Sequence, residues 1–416
     1  MLFWNAAYYF RSIILTIYFF LFSVLKKDSQ LCYENKIDKA FFATVIYGFV
    51  VVNGPEALSS AKFNTYEANY VAWVLSRPRL SMRLFEIAEQ LLQENYNLFW
   101  RAILIPHFGL DDSVESDIVW KNLVKVERYA AAVNMYGNTV ENCNISHTEI
   151  YTVLIKAATT ESNDELDPDA VVNLIGLLQQ ERSISIKEIS DIEMIYLLWL
   201  DSHSSVKPLA TRYRLANEPD FFCELIKLVY RKKHSDTHEE QLSEYDVKRL
   251  YHLIFEFCVV PGTDWNGCYH EEIFSIWMTY CKKWGKEDRE EVVLQTIGCG
   301  LSYAKKLENG LIDEFIINEL NKVENDEMRR GYCIGVFNQR GVVRVDPEGK
   351  PELQLAQKYY EMAEQVESMG YAKYAEALRD IADSYTKEAL HHIKEHQYMQ
   401  RMKQKDEEDY VQFNLG

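Results

Sequence analysis

Between Leu353 and Ala389, apolar residues recur at steps of three and four with a single interruption. Leu353, Ala356, Tyr360, Ala363 and Val366 form one series, and Tyr374, Leu378, Ile381, Tyr385 and Ala389 form the next. The spacing follows the 3.6-residue turn, so each series paints one face of an α-helix. Gly370 stands between them, where a helix end needs a residue that accepts a left-handed backbone. Two apolar faces joined by so short a link bury each other, which predicts a helical hairpin. The segment Asp346-Pro347-Glu348-Gly349-Lys350-Pro351 in front of it carries the Pro and Gly of an ordered turn.

The same periodicity runs back through the chain. Asp167-Pro168-Asp169 is a helix start: an N-cap acid, a proline in the first turn and a second acid at the positive end of the dipole. Residues 171–178 supply its apolar face. Ile189, Ile192, Ile195 and Trp199 read as one further helix, and 221–230 follow Asn217-Glu218-Pro219 as another. Val247, Leu250, Ile254 and Phe257 mark a helix that ends at Val260-Pro261-Gly262. Ile273, Trp277, Tyr280 and Trp284 mark the next, closed by Gly285, and Phe315, Ile316, Leu320 and Val323 one more. Only 17 Gly and 9 Pro punctuate 416 residues, and 48% of residues are apolar. The reading is an all-α fold, an irregular α-solenoid or helical array with a C-terminal helical hairpin. Helix is expected over about two thirds of the residues, against the usual third. No motif repeats at a fixed period, so no named repeat class is supported. Breaks at 108–113, 161–167 and 232–240 suggest three regions. These are N-terminal apolar helices with a helical array (1–160), a repeat-like region (161–330), and a loop with the hairpin and a charged tail (331–416).

The chain is acidic, with 63 Asp+Glu against 45 Lys+Arg and a formal charge of −18. Nucleic-acid binding needs clustered Lys and Arg, so it is not expected of this chain. The balance argues less firmly against a local basic patch. The 8 cysteines are scattered, without a Cys-x-x-Cys, and read as reduced core thiols of a cytoplasmic protein. Residues 2–25 are apolar but interrupted by Arg11, and 40–52 form a second short apolar run. Both are expected to be core helices packed on each other, leaving an apolar edge that a partner or a second copy covers. The competing reading makes 2–25 a membrane anchor.

The C-terminal stretch resembles the end of a family of large, little-characterised bacterial proteins built from helical repeats. The matching residues are Asn338, Arg340, Gly341, Val342, Gly349, Glu352, Ala356 and Tyr359, then Ala375, Leu378, Arg379, Ile381, Ala382 and Tyr385. Asn217-Glu218-Pro219-Asp220-Phe221-Phe222 with Tyr230-Arg231 is similar too. The resemblance covers about the last half of the chain. It implies a helical region of a bigger assembly, in a short or truncated member of the family, and no activity.

No reaction is legible. A phosphate-binding Gly-x-x-x-x-Gly-Lys-Ser/Thr loop and a His-Glu-x-x-His are both missing from the sequence. Cys258, Cys268, His270 and Cys281 are the most metal-like group, but two of them belong to helical patterns, so no metal or cofactor is expected. His234 and His238 sit in a polar linker. Gly298-Cys299-Gly300 could hold a nucleophile on a tight turn, yet no strand precedes it; small residues inside a helix explain it better. Gly331 and Gly335, four apart, read as a close helix–helix approach.

The candidate binding residues are Asn338, Arg340, Tyr359 and Tyr360, and no catalytic set is named. Two readings of Arg340 compete. In the first, Asn338 or Gly341 turns left-handed to end a helix over 328–337, and Arg340 lies on the last carbonyls or pairs with a hairpin carboxylate. In the second, Arg340 reaches into a groove beside Tyr359 and Tyr360 and holds an anionic group of a partner. The function expected is a protein-interaction or regulatory helical module. The alternatives are an enzyme with a site in a concave face near Arg340 and a membrane-anchored scaffold.

Overall fold

The computed structural model describes residues 50, 54, 65–76, 81–104, 116–138, 145–160, 165–202, 206–230, 244–255, 257, 259–287, 289–308, 310–341 and 345–415. Residues 2–25 and, Val50 apart, 40–52 lie outside that set, and with them the apolar edge and the membrane anchor expected there. His234, His238 and Cys258 lie outside it as well. Among the described residues every regular element is a helix. The β-type pairing found is one isolated antiparallel bridge, Thr263 with Tyr269. No helix of the described residues is long and apolar enough to cross a membrane.

The chain divides into two compact units, Met1–Lys207 and Pro208–Gly416. The sequence-derived limits at 160 and 330 fall inside these units. The helices described in the first are α1 Thr65–Leu75, α2 Met82–Leu92, α3 Asn97–Ala102, α4 Ser116–Lys125, α5 Tyr129–Gly137, α6 His147–Thr159, α7 Pro168–Glu181, α8 Ile186–Ile195 and α9 Leu197–Ser202. Each packs on helices one or two places away in sequence, α5 on α7 most extensively. Gly137 makes that crossing possible, since a Cβ there would lie 2.3 Å from the Ala170 carbonyl oxygen. Phe99, Trp100, Trp120 and Tyr136 are fully buried at the centre. Local chemistry sets the helix starts. Asp167 accepts from the Asp169 amide at 3.0 Å with Pro168 in the first turn. Ser185 and Glu188 form a reciprocal capping box. Caps of this kind contribute about 1 kcal/mol each.

One helix expected here is two. Ile189, Ile192 and Ile195 lie on α8, but Trp199 lies on α9, because the chain breaks at Tyr196 (φ −104°, ψ 20°). The Tyr196 hydroxyl donates to the Leu154 carbonyl at 2.8 Å, and its ring stacks on Trp199. A long-range bond thus accompanies the break in a continuous apolar series.

The second unit holds α10 Leu209–Asn217, α11 Pro219–Val229, α12 Glu244–Phe255, α13 Glu271–Gly285, α14 Glu290–Leu301, α15 Glu314–Leu320, α16 Asp326–Asn338, α17 Lys350–Ser368 and α18 Ala372–Leu415. Phe222, Phe257 and Trp277 meet in its core, with ring centroids 4.8 to 6.5 Å apart. The Trp277 indole N–H donates to the Leu215 carbonyl at 3.1 Å, so the largest buried side chain there is also satisfied. The buried face of α13 is Phe274, Trp277, Met278 and Cys281, turned away from the stripe read from sequence; Ile273 and Tyr280 are exposed. α15 stops at Leu320, leaving Val323 exposed, because the Arg329 guanidinium takes the carbonyls of Leu320 (2.8 Å) and Lys322 (2.6 Å). α12 stops at Phe255, and Phe257 is buried beyond its end.

The hairpin forms at the expected place. α17 ends on Gly370 at φ +96°, with Tyr371 N–H on Val366 O at 3.0 Å and Gly370 N–H on Glu367 O at 2.9 Å. This is the paired bonding of a Schellman end, which requires the left-handed residue that glycine supplies without strain. Tyr374, Leu378, Ile381, Tyr385 and Ala389 are all buried. On α17 the buried side is Ala356, Tyr359, Met362, Ala363 and Val366, and Leu353 is exposed. The charged tail continues α18 rather than leaving it.

Candidate functional site: the Arg340 clasp

The approach to Arg340 is set by a close crossing of α14 and α16. A Cβ on Gly298 would lie 1.9 Å from the Met328 carbonyl oxygen, and one on Gly331 would lie 2.0 Å from that of Gln295. Gly335 leaves room for the Ser302 side chain, whose Oγ would lie 2.4 Å from a Cβ there. The Cys299 thiol donates to the Gly331 carbonyl at 3.2 Å. Gly298, Cys299 and Gly300 are therefore the interior of a helix that touches its neighbour backbone to backbone, with no turn for a nucleophile.

α16 ends at Asn338. Gly341 follows at φ +63°, with open space where a Cβ would be. The link then closes on itself. Asp346 Oδ1 accepts from the Glu348 amide at 2.8 Å, and Gly349 (φ +62°) N-caps α17 where a side chain would strike Ala389. Glu352 follows in the first turn of α17, at the positive end of its dipole.

These turns bring Arg340 against the hairpin. Its Nη1 donates to Glu388 Oε2 at 2.8 Å and its Nη2 to Glu352 Oε1. The guanidinium lies 5.6 Å from the centre of the Tyr385 ring. Tyr385 in turn stacks between Phe337 (5.3 Å) and Tyr359 (5.9 Å). The arginine side chain is 11% exposed and that of Glu352 not at all. His392 Nδ1 approaches Glu352 Oε1 at 3.9 Å, while Glu352 Oε2 and His392 Nδ1 have no hydrogen-bond partner. Burial pushes the Glu352 carboxyl up. The Arg340 hydrogen bond, its own backbone N–H and the charges of Arg340 and His392 outweigh that and hold it below the usual glutamate range. The clasp joins a helix end to both helices of the hairpin through one delocalised cation, for which a two-pronged guanidinium suits.

The four named residues are therefore treated differently. Asn338 is exposed. Both terminal nitrogens of Arg340 are occupied by hairpin carboxylates. Tyr359 is buried, and Tyr360 is half-buried with its hydroxyl on Asp383. Glu388 and His392 belong to the cluster and were missed. They continue the Tyr385 face of α18 at i+3 and i+7, a signal hidden because charged residues were not counted on an apolar stripe.

Of the residues weighed as zinc ligands, Cys268, His270 and Cys281 are described. Cys268 is exposed, and His270 Nε2 lies 3.2 Å from Asp264 Oδ2. Cys281 is buried, its Sγ 3.7 Å from that of Cys223, and burial with that neighbour pushes its thiol up. Among the described residues no three His, Cys, Asp or Glu side chains converge to hold a metal. Comparison with known proteins returned no matching family model, no matching curated protein and no matching solved structure.

Proposed function

We propose that the chain is a helical interaction module that presents the C-terminal end of α16 to a protein partner or to a second copy of itself. The observation that carries this is the exposed stripe Ile334, Phe337 and Asn338, at i, i+3 and i+4. Ile334 is 44% and Phe337 38% exposed, on a helix end that the clasp ties to the hairpin. Exposed apolar side chains on a fixed scaffold are the usual core of a binding surface. In this reading Arg340 positions the stripe and does not itself bind. The packing of helices on their neighbours in sequence supports an array of the α-solenoid kind, whose stacked helices offer such surfaces. The test is affinity capture and sedimentation with the full chain and Ile334→Glu. A partner or self-associated species lost in the variant, at unchanged melting temperature, supports the reading. A species retained equally by both chains overturns it.

A further inference from the structure

The second unit also holds a cleft of about 390 Å³ between the last turns of α13 and the end of α15. Four lysines line it: Lys282, Lys283, Lys286 and Lys322, with Glu319 the one acid among its lining residues. Glu319 is 7% exposed and shared. Its Oε1 accepts from Lys282 Nζ at 2.9 Å and its Oε2 from Lys322 Nζ at 2.5 Å. Asn325, fully buried, fastens the same carboxylate from below at 2.8 Å and accepts from Lys282 Nζ at 2.8 Å. Burial raises the Glu319 carboxyl, but the lysines and Asn325 outweigh it and hold it ionised. One negative charge is thus divided between two cations. Lys283 and Lys286 are exposed, and neither forms an ion pair among the described residues. Four lysines against one glutamate leave the cleft lining three charges positive in a chain whose formal charge is −18.

Lysines in the last turn of a helix favour its dipole, which accounts for their being tolerated there. It does not account for a concave site with a buried network at its base and two unpaired ammonium groups on its lip. Concavity and low-dielectric walls focus the field of like charges and raise the local concentration of anions. The volume is that of a small-ligand site. Phe274 and Met278, nearly buried, give it an apolar wall.

We propose that this cleft binds a small anion bearing two or more phosphate groups. Lys283 and Lys286 hold it directly, and Lys282 and Lys322 turn toward it from Glu319. Ammonium groups bind phosphate as point charges without a fixed fork, and four of them around one cavity suit a polyphosphate better than a single carboxylate. The cleft shares no lining residue with the α16 stripe, and the proposal does not depend on it.

The test is calorimetric titration of the full chain with inorganic pyrophosphate at low salt. Parallel titrations use Lys283→Glu/Lys286→Glu, Lys283→Gln/Lys286→Gln and a control, Lys394→Glu. All three substituted lysines are exposed, so the fold is expected to persist, checked by the melting temperature. Saturable binding is expected, weakened by added salt. The Glu variant should raise Kd by about tenfold or more and the Gln variant by less, with the control unchanged. Absent saturation, or equal loss in Lys394→Glu, would overturn the assignment. Tighter binding of a Glu-rich peptide than of pyrophosphate would also overturn it and give the cleft to an acidic protein segment.

Discussion

Two helix pairs in the second unit are assembled in opposite ways. α14 and α16 meet where side chains are missing: Gly298 and Gly331 let carbonyls approach positions a Cβ would otherwise fill, and Gly335 makes room for the Ser302 side chain. α17 and α18 meet through full-sized side chains, with Tyr359, Met362, Val366, Ile381 and Tyr385 between them. Both pairs show a four-residue spacing in sequence. The size of the residue at that spacing sets how near the axes come. The first pair has no room to yield, because the opposing atoms are backbone. The second can repack, but it depends on the Arg340 clasp to hold its entry turn. The difference predicts where substitutions cost most.

The largest effect is expected at the close crossing. Gly298→Val places carbon within 1.9 Å of the Met328 carbonyl oxygen and must force the helices apart. A loss of about 3–5 kcal/mol in chemical denaturation is expected, beyond ordinary overpacking because backbone has to move. A loss below about 1 kcal/mol would show that the crossing is looser than the structure has it.

Next comes the clasp. Arg340→Ala leaves Glu352 buried beside nothing that neutralises it fully, so about 2–4 kcal/mol is expected. Gly341→Val meets no atom and adds only left-handed strain, about 1–2 kcal/mol. From sequence alone a structural role for this turn puts the valine substitution first. The structure reverses the order, because the arginine holds a fully buried carboxylate and the glycine faces solvent. Equal melting temperatures for the two variants would break this account.

The smallest effect is acid sensitivity. The Glu352 carboxyl is held below its ordinary value in the folded chain. A depressed carboxyl stabilises the folded state above the unfolded value, near about pH 4.3. That stability is lost as the pH falls through the lowered folded value. The hairpin should therefore loosen on acidification, and Glu352→Gln should flatten the pH profile of the melting temperature while lowering its plateau. A variant profile parallel to that of the natural chain would remove Glu352 from the pH response.

Much of the fold was legible because it rests on local rules. The Asp167-Pro168 start and the Gly370 end are decided by backbone groups within a few residues, and the α18 face by a periodicity that survives in one dimension. The Gly331/Gly335 pair could be read as a close approach, since a missing side chain has few other uses at helical spacing. Other features were not legible. Which face of α13 is inward, and the break at Tyr196, accompany packing and a hydrogen bond to Leu154, 42 residues away. The candidate site divides along the same line. Arg340, Gly341 and the helix end could be named from sequence. Glu388 and His392, 48 and 52 positions on, enter only when the hairpin folds back.

By itself the sequence determined the all-helical class, the ends of the better-capped helices and the hairpin, because hydrogen-bonding geometry and apolar spacing act over one or two turns. The tertiary structure alone decided which charges meet. Coulombic attraction and desolvation depend on distance and burial in space. The same arithmetic of a strongly acidic chain thus conceals a neutralised arginine at the hairpin and an unneutralised group of lysines beside Glu319.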